Sequence, residues 1–351
     1  MHSCTSYWEI GMFFVENYAV AVAFCVVTML CWGSWGNTQK LSASKTWKYQ
    51  LFYWDYGLGI LLSSLLIAFT LGSMGSEGRG FLADIRQAGM NHLGLAFLGG
   101  VLFNLANILL VIAIDLAGLA VAFPIGIGLA LVLGVIQTYW FNPKGDPVLL
   151  FAGVGLVALA IILNALAYKK RVASDTGCSQ GGGAGLGIAI SVIAGLLMGA
   201  GFFGLVSKGM VKDFAHPEAG LMTPYTALVV FAVGLFISNF LWNTIVSLKP
   251  VRGEPVPPSS YFSLGSPRLH AVGILGGTIW NIGMALSLIA SGKAGTAVSY
   301  GLGQGATLVA ALWGILIWKE FKGAPKAAHR LNAAMFILFV AGLALIIRAG
   351  A

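Results

Sequence analysis

Two asparagines lie deep inside apolar segments, where an amide is well suited to bind a polar solute. Asn104 lies about 11 residues into one span and Asn281 about 10 into another, so at about 1.5 Å per residue both amides are roughly 15 Å deep. A carboxamide donates and accepts hydrogen bonds, which suits hydroxyls or the edge of a heterocycle. The alternative is a hydrogen bond between helices, a common role for membrane amides.

Aromatic and amide neighbours strengthen the assignment of a solute site. Phe103 and Trp280 come immediately before the two asparagines, and Asn107 follows Asn104 by one helical turn. Ligand pockets combine apolar and aromatic walls with a few placed polar groups. We therefore predict that these residues contact a solute.

A second polar stripe follows Asn281 along the chain. Tyr300, Gln304 and Thr307 recur at helical spacing, so that a hydroxyl, an amide and another hydroxyl share one helix face. Tyr300 and Gln304 are predicted to bind the same solute. Packing between helices explains such a stripe equally well.

Trp32 and Trp35 lie three residues apart, on one face of the first apolar segment. Their flat rings can stack on the apolar face of a sugar or on a planar base, so both belong to the candidate solute site. Tryptophans also concentrate near lipid headgroups regardless of function, which favours an anchoring role. Both interpretations remain open from the sequence.

Asp55 is the one acidic residue that falls within an apolar span. A carboxyl group there can bind and release a proton as access alternates, or it can bind a sodium ion, so Asp55 is the candidate ion-coupling residue. The alternative is a surface ion pair, because Asp55 begins its span close to Lys40, Lys45 and Lys48.

The composition defines the elements that position these residues. Only 9% of the 351 residues are charged and 58% are hydrophobic, which is too few charges to cover a soluble surface. Helices are the expected spanning form because each satisfies its own backbone hydrogen bonds where water is absent. The predicted fold is an all-α polytopic membrane protein with ten transmembrane helices, near residues 17–36, 51–73, 93–114, 118–141, 147–167, 187–207, 224–247, 271–291, 295–318 and 330–349.

An internal repeat organises these ten helices. Residues 98–132 recur in residues 275–309, where 15 of 35 positions agree at a constant offset of 177. Five spans per half is an odd number, so the second half is expected to be inverted relative to the first. We predict a first repeat over 1–168, a cytoplasmic linker over 169–186 and a second, inverted repeat over 187–351. Inverted repeats are typical of transporters that work by alternating access.

Small residues in the fourth and ninth spans predict close helix crossings. Gly126, Gly128, Gly303 and Gly305 remove side chains where two backbones can approach, and Pro124 deprives its helix of one internal hydrogen bond. We predict hinge or packing roles for all five residues.

The distribution of positive charge predicts the orientation. Of the 20 Lys and Arg residues, 13 lie on the side of Lys40 and Lys169 and 7 on the side of the termini. The richer side is expected to be cytoplasmic, which makes both termini of this inner-membrane protein extracytoplasmic. The net charge of +8 is spread over short loops, so no nucleic-acid partner is predicted.

Three segments carry a family resemblance. The ten-span layout with inverted halves resembles the drug/metabolite transporter superfamily. Residues 31–37 (CWGSWGN), 52–56 (FYWDY) and 123–128 (FPIGIG) resemble its branch of bacterial glucose/ribose porters and ureide permeases. The resemblance implies proton-coupled uptake across the cytoplasmic membrane. Plant ureide permeases carry a phosphate-loop motif in a long central loop, whereas residues 176–187 have no Gly-Lys-Ser/Thr, so nucleotide binding is not implied.

Together these features predict a secondary transporter that imports a small polar metabolite across the bilayer. A monosaccharide is the favoured solute, a ureide or nucleobase is the alternative, and drug or metabolite export is a further one. The spans show no nucleophile with its base, no zinc-binding helix and no paired carboxylates, so no enzyme activity is predicted. The spacing of the four cysteines predicts no metal site, and no cofactor is expected.

Overall fold

A computed structural model describes residues 11–42, 44, 46–117, 119–176, 184–251 and 253–351. Ten long helical segments form one bundle, and two short helices, Phe81–Gln87 and Ser260–Leu264, lie in connections. The ten segments are α1 (Tyr18–Ser42), α2 (Tyr49–Phe69), α3 (Met90–Ala117), α4 (Leu119–Phe141), α5 (Pro147–Thr176), α6 (Gly185–Lys208), α7 (Pro224–Leu248), α8 (Pro267–Ala294), α9 (Thr296–Ile317) and α10 (Lys326–Ala349).

The helices confirm the all-α, polytopic class. Within the described ranges, nine of them are long and apolar enough to cross a membrane, and the apolar part of α4, Ile125–Phe141, is shorter. Large apolar side chains cover the outer surface of the bundle; examples are Leu66, Ile337 and Val340, each more than half exposed. Such a surface suits lipid and not water.

The connections are short at two predicted hairpins. α3 ends at Ala117 and α4 begins at Leu119, and α8 is separated from α9 by Gly295 alone. Gly295 has φ +86°, a backbone conformation that a side chain disfavours, so glycine suits this sharp reversal. The first part of the predicted linker is helical, because α5 continues to Thr176 and so includes residues 169–176. Residues 177–183 lie outside the described part of the chain.

Helix irregularities occur in α1, α6 and α9. α9 is interrupted at Gln304 and Gly305, and α6 contains a wider π turn over Leu197–Phe202. Pro124, for which a hinge or packing role is predicted, lies within the helical backbone of α4; its side chain is outside the described part. Local breaks of this type often mark functional sites.

Two helix crossings bring backbones into direct contact through glycine. A Cβ added to Gly100 of α3 would lie 2.1 Å from the carbonyl oxygen of Phe231 in α7, and one added to Gly277 of α8 would lie 2.0 Å from that of Tyr56 in α2. No larger residue fits at these distances without separating the helices. Each crossing has a second contact of this kind. A Cβ added to Gly234 of α7 would lie 2.2 Å from the carbonyl oxygen of Phe97 in α3, and one added to Gly59 of α2 would lie 2.2 Å from that of Ile274 in α8.

The two predicted mid-span asparagines lie beside these crossings. Asn104 donates to Ser238 Oγ in α7 over 3.0 Å, and Asn281 donates to Ser63 Oγ in α2 over 2.9 Å. Asn281 also accepts a hydrogen bond from Ser64, and both asparagines are fully buried. The amides therefore join α3 to α7 and α8 to α2.

We expect Gly100→Ala to destabilise the protein by about 1–3 kcal/mol, because the added methyl group must push α3 away from α7. The matched control is Gly94→Ala in the same helix, where an added Cβ meets no atom within 4 Å. Thermal unfolding in detergent measures both variants. Equal melting temperatures for the two would contradict the close crossing.

Removal of the Asn104–Ser238 hydrogen bond should cost about 0.6–2 kcal/mol. In a double-mutant cycle with Asn104→Ala and Ser238→Ala, the double variant should lose less stability than the sum of the single variants, because they remove one shared interaction. The half-saturation concentration for solute uptake should stay unchanged. A large rise in that concentration without loss of stability would instead show that Asn104 contacts the solute.

Candidate solute-binding site

A cavity of about 130 Å³ lies inside the bundle, between the halves of the chain. Residues from α1, α3, α4, α6, α8 and α9 form its wall. They are Trp32, Trp35, Phe103, Asn107, Leu110, Ile127, Met198, Trp280, Tyr300, Gln304, Ala306, Thr307 and Ala310. All of these residues are uncharged, so the cavity suits a neutral molecule.

Three aromatic rings form one side of this central cavity. Trp32 and Trp280 are stacked, with centroids 5.9 Å apart and an interplanar angle of 14°. The indole N–H of Trp32 donates to the carbonyl of Trp280 over 3.1 Å, which fixes the orientation of its ring. Phe103 packs on Trp280 at 4.7 Å. The rings therefore offer a rigid wall on which a planar solute can lie.

Amide and hydroxyl groups supply the polar part of the wall. Asn107 donates from Nδ2 to the Tyr53 hydroxyl over 2.7 Å, so its orientation is set from behind the cavity. Gln304 lies at the interruption of α9, and Thr307 follows it by nearly one turn. These groups can pair with the N–H and C=O groups of a solute.

The structure brings together seven of the nine predicted solute residues: Trp32, Trp35, Phe103, Asn107, Trp280, Tyr300 and Gln304. Asn104 and Asn281 do not line the cavity, because their amides bind serines across the helix crossings. Trp32 and Trp35 both line the central cavity. Trp35 also packs against Tyr56, with ring centroids 4.8 Å apart.

Several lining residues were not predicted from the sequence. Leu110, Ile127 and Met198 are ordinary apolar residues in apolar helices, so no pattern separates them from lipid-facing neighbours. Met198 lies in the π turn of α6, which changes the face that this helix presents. Only the packing of α4 and α6 shows that they reach the cavity.

Tyr300 closes one end of the central cavity. Its side chain is fully buried, and its hydroxyl donates to the carbonyl of Ala130 in α4 over 3.1 Å. The ring packs against Phe203, 5.0 Å away, and fills the space beside Gly134. This packing separates the cavity from the end of the bundle that holds the start of α1 and the end of α10, which we call the terminal face.

The opposite end of the bundle, where α5 ends and α6 begins, is the linker face. A second cavity of about 280 Å³, which we call the vestibule, lies on this side between α1, α5 and α9. It shares Thr307 and Ala310 with the central cavity, so the two spaces adjoin. A larger opening of about 560 Å³ lies among the loops of the linker face and shares no described lining residue with the central cavity.

The predicted packing glycines have different environments. A Cβ at Gly126 would lie 2.7 Å from Leu110, one at Gly303 would lie 2.8 Å from Trp32, and one at Gly305 would lie 2.9 Å from Met29. At each of these three positions the glycine makes room for a neighbouring side chain. Gly128 is different, because a Cβ there would meet its nearest neighbour, Ile161, only at an ordinary 3.9 Å.

Asp55 lies outside the central cavity, near the linker face. Its carboxylate is 1% exposed and is 2.9 Å from Nδ1 of His270 at the start of α8. The hydroxyl of Tyr261 also donates to it. Burial and the nearby carboxylate raise the pKa of Tyr261, which keeps this donor protonated. The carboxylate can therefore share a proton with an imidazole at a buried position.

The surface ion pair considered for Asp55 is not found among the described residues. Lys40 instead binds Glu320 over 2.9 Å, and Lys48 reaches the backbone carbonyl of Glu254. Lys45 lies outside the described part of the chain. Nothing in the local sequence predicted His270 as the partner, since it follows Asp55 by 215 residues.

Comparisons with known proteins place these features in context. The family model for ureide permeases matches residues 52–178 and 179–349. Ureide permeases 1 and 2 from Arabidopsis thaliana are 22% and 23% identical to this chain, and each alignment covers 95% of the chain and 98% of the relative. A protein of known crystal structure shares the fold, with a TM-score of 0.59 and 16% identity over 94% of this chain and 96% of its own.

These findings support only part of the resemblance drawn from the sequence. They support a permease and not an enzyme, and they support neither a sugar porter nor membership of the wider drug/metabolite superfamily. The match covers α2 to α10, which supply every lining residue of the central cavity except Trp32 and Trp35 of α1. This chain belongs to the ureide permease family.

Proposed function

We propose that this protein imports a neutral ureide or nucleobase across the inner membrane. The single observation that carries the proposal is the uncharged central cavity, whose wall combines stacked aromatic rings with the amides of Asn107 and Gln304. The relatives named as ureide permeases agree with this solute class. The monosaccharide favoured from the sequence is not supported, since aromatic and amide groups serve either solute and the family match favours ureides.

Different residues of the central cavity are expected to bind the face and the edge of the solute. A planar ring is expected to lie against Trp280 and Trp32, which are held in one orientation by their own stacking and hydrogen bond. Asn107 and Gln304 then pair with the edge of that ring, where ureides and nucleobases carry alternating N–H and C=O groups. A charged solute would lose its hydration in this cavity without a compensating ion pair.

We propose that the chain works by alternating access between two inverted repeats, residues 1–168 and 187–351, joined by a linker over 169–186. The duplicated crossings support this arrangement: Gly100 against Phe231 has its counterpart in Gly277 against Tyr56. The hydrogen bonds of Asn104 and Asn281 are duplicated in the same way. Two similar units that meet around a central site can exchange conformations and expose it to either side.

The present conformation would correspond to one state of that cycle. Tyr300 and Phe203 close the path to the terminal face, while the vestibule adjoins the central cavity on the linker face. With the linker face assigned to the cytoplasm from the Lys and Arg distribution, this state faces inward and both termini are extracytoplasmic.

Asp55 and His270 are proposed as the site of proton coupling. The pair joins α2 of the first half to α8 of the second, so its protonation can bias the contact between the halves. A proton is favoured over sodium, since sodium requires several oxygen ligands, whereas the second partner of this carboxylate is an imidazole nitrogen.

Trp280→Ala should raise the half-saturation concentration for allantoin uptake by about tenfold, because loss of one stacking surface costs about 1–3 kcal/mol. Asn107→Ala should act in the same direction. Trp140→Ala is the matched control, since this tryptophan is 82% exposed and distant from the cavity. Competition in proteoliposomes between allantoin, uracil and glucose identifies the solute. Competition by glucose alone would reject the proposal.

Asp55→Asn should abolish accumulation of solute driven by a proton gradient and spare solute exchange, because exchange needs no net movement of protons. His270→Gln should weaken accumulation in the same assay. The matched control is Asp213→Asn, which alters an exposed Asp–His pair on the surface. Full accumulation by Asp55→Asn vesicles would exclude this residue from coupling.

A further inference from the structure

The vestibule contains a buried polar atom that lacks a partner. Asn164 of α5 is only 6% exposed and lines this cavity, and its Oδ1 has no hydrogen-bond partner among the described residues. A buried carbonyl oxygen without a donor costs about 1–3 kcal/mol. A molecule that enters the vestibule and offers an N–H group would satisfy it.

Several other polar groups at the vestibule already have hydrogen-bond partners. Asn37 accepts a hydrogen bond from the indole N–H of Trp318 over 2.7 Å and donates to the carbonyl of Ser34. The indole N–H of Trp313 donates to the Ser34 hydroxyl over 2.8 Å. These bonds join α1 to α9 and the residues after it. Asn164 Oδ1 on the facing helix remains available to accept a hydrogen bond from an incoming solute.

An ion pair lies at the outer mouth of the vestibule. Glu320 accepts from Lys40 of α1 over 2.9 Å and from Tyr168 of α5 over 2.8 Å, so it links the three walls. Burial opposes ionisation of Glu320, but the hydrogen bonds from Lys40 and Tyr168 outweigh burial and lower its pKa. The Lys40 ammonium also lies 4.1 Å from the ring centre of Trp318. Both charges are therefore neutralised at the mouth, and the space behind them suits an uncharged molecule.

We propose that the vestibule is a second solute-binding site, in which Asn164 Oδ1 accepts a hydrogen bond from an N–H group of a neutral polar solute. The solute class rests on the proposed function, but the site is separate from the central cavity. At about 280 Å³ the vestibule is larger than the central cavity of about 130 Å³, so it has room for the same molecule. Thr307 lines both spaces and lies on the path between them.

The site explains how a solute leaves the central cavity. Release from aromatic rings and amides directly into water would break all contacts in one step. A second, weaker site replaces part of those contacts, so that release takes place in two smaller steps. Movement of a solute through several sites requires that binding at each site is favourable but not tight. Opening of the Lys40–Glu320 pair would then release the solute at the linker face.

Protection of an engineered cysteine tests this site. Ala165→Cys places a thiol beside Asn164 on the vestibule wall. The rate of its reaction with N-ethylmaleimide is measured with and without allantoin, in a chain that also carries Asn107→Ala and Trp280→Ala to disable the central cavity. The chain without Ala165→Cys corrects for native cysteines.

Allantoin at four times its dissociation constant for the vestibule should slow the reaction about fivefold, since the free fraction of the site falls by that factor. Adding Asn164→Ala, or the smaller change Asn164→Ser, should remove the protection. Asn332→Ala is the matched control, because Asn332 is equally buried with an unpartnered Oδ1 but does not line the vestibule.

Two negative outcomes are distinguishable. In the first, the otherwise native chain transports allantoin, but the cysteine is not protected when the central cavity is disabled. This result would overturn the second site and leave the proposed function intact; Asn164 would then bind water only. If the otherwise native chain shows no transport of allantoin and no protection of the cysteine, both proposals are rejected.

Discussion

The direct backbone contacts at the α3–α7 and α8–α2 crossings are the constraint on which the central cavity depends. Gly100 and Gly277 let the helices touch without intervening side chains. Three residues later on the same helices come Phe103 and Trp280, so the crossings fix the depth and rotation at which these rings enter the cavity. The ring centroids of Phe103 and Trp280 lie 4.7 Å apart. A wider crossing would increase this distance.

Charged side chains and the uncharged cavity wall lie at different depths in this protein. The wall of the central cavity is neutral, while the ion pairs of the linker face, Lys40 with Glu320 and Asp55 with His270, lie toward the ends of helices. Under the proposed function, this arrangement would keep a solute in the central cavity apart from these charged groups. A neutral solute would then move between the two cavities without breaking an ion pair inside the membrane, where an unpaired charge is costly.

The segments that repeat in the sequence share the residues at the helix crossings but differ along the cavity wall. The glycine and asparagine positions at the crossings recur in both halves with the same contacts. Gln304 in α9 has Ile127 as its counterpart in α4, although both line the cavity. Helix crossings tolerate little change because backbones are in contact, whereas a cavity wall can change one side chain at a time. Three of the polar lining residues, Tyr300, Gln304 and Thr307, therefore come from α9.

Periodicity and composition were sufficient to predict ten helical segments close to their observed bounds, because every span must satisfy its own backbone. They also identified seven residues of the cavity wall, since an aromatic or amide in an apolar span is conspicuous. They could not distinguish Asn107, which faces the cavity, from Asn104, which binds Ser238. Nor could they pair Asp55 with His270 or show that Asn164 lines a vestibule. Hydrogen-bond partners across a helical bundle come from segments far apart in the chain, so the rotation and crossing of whole helices select them.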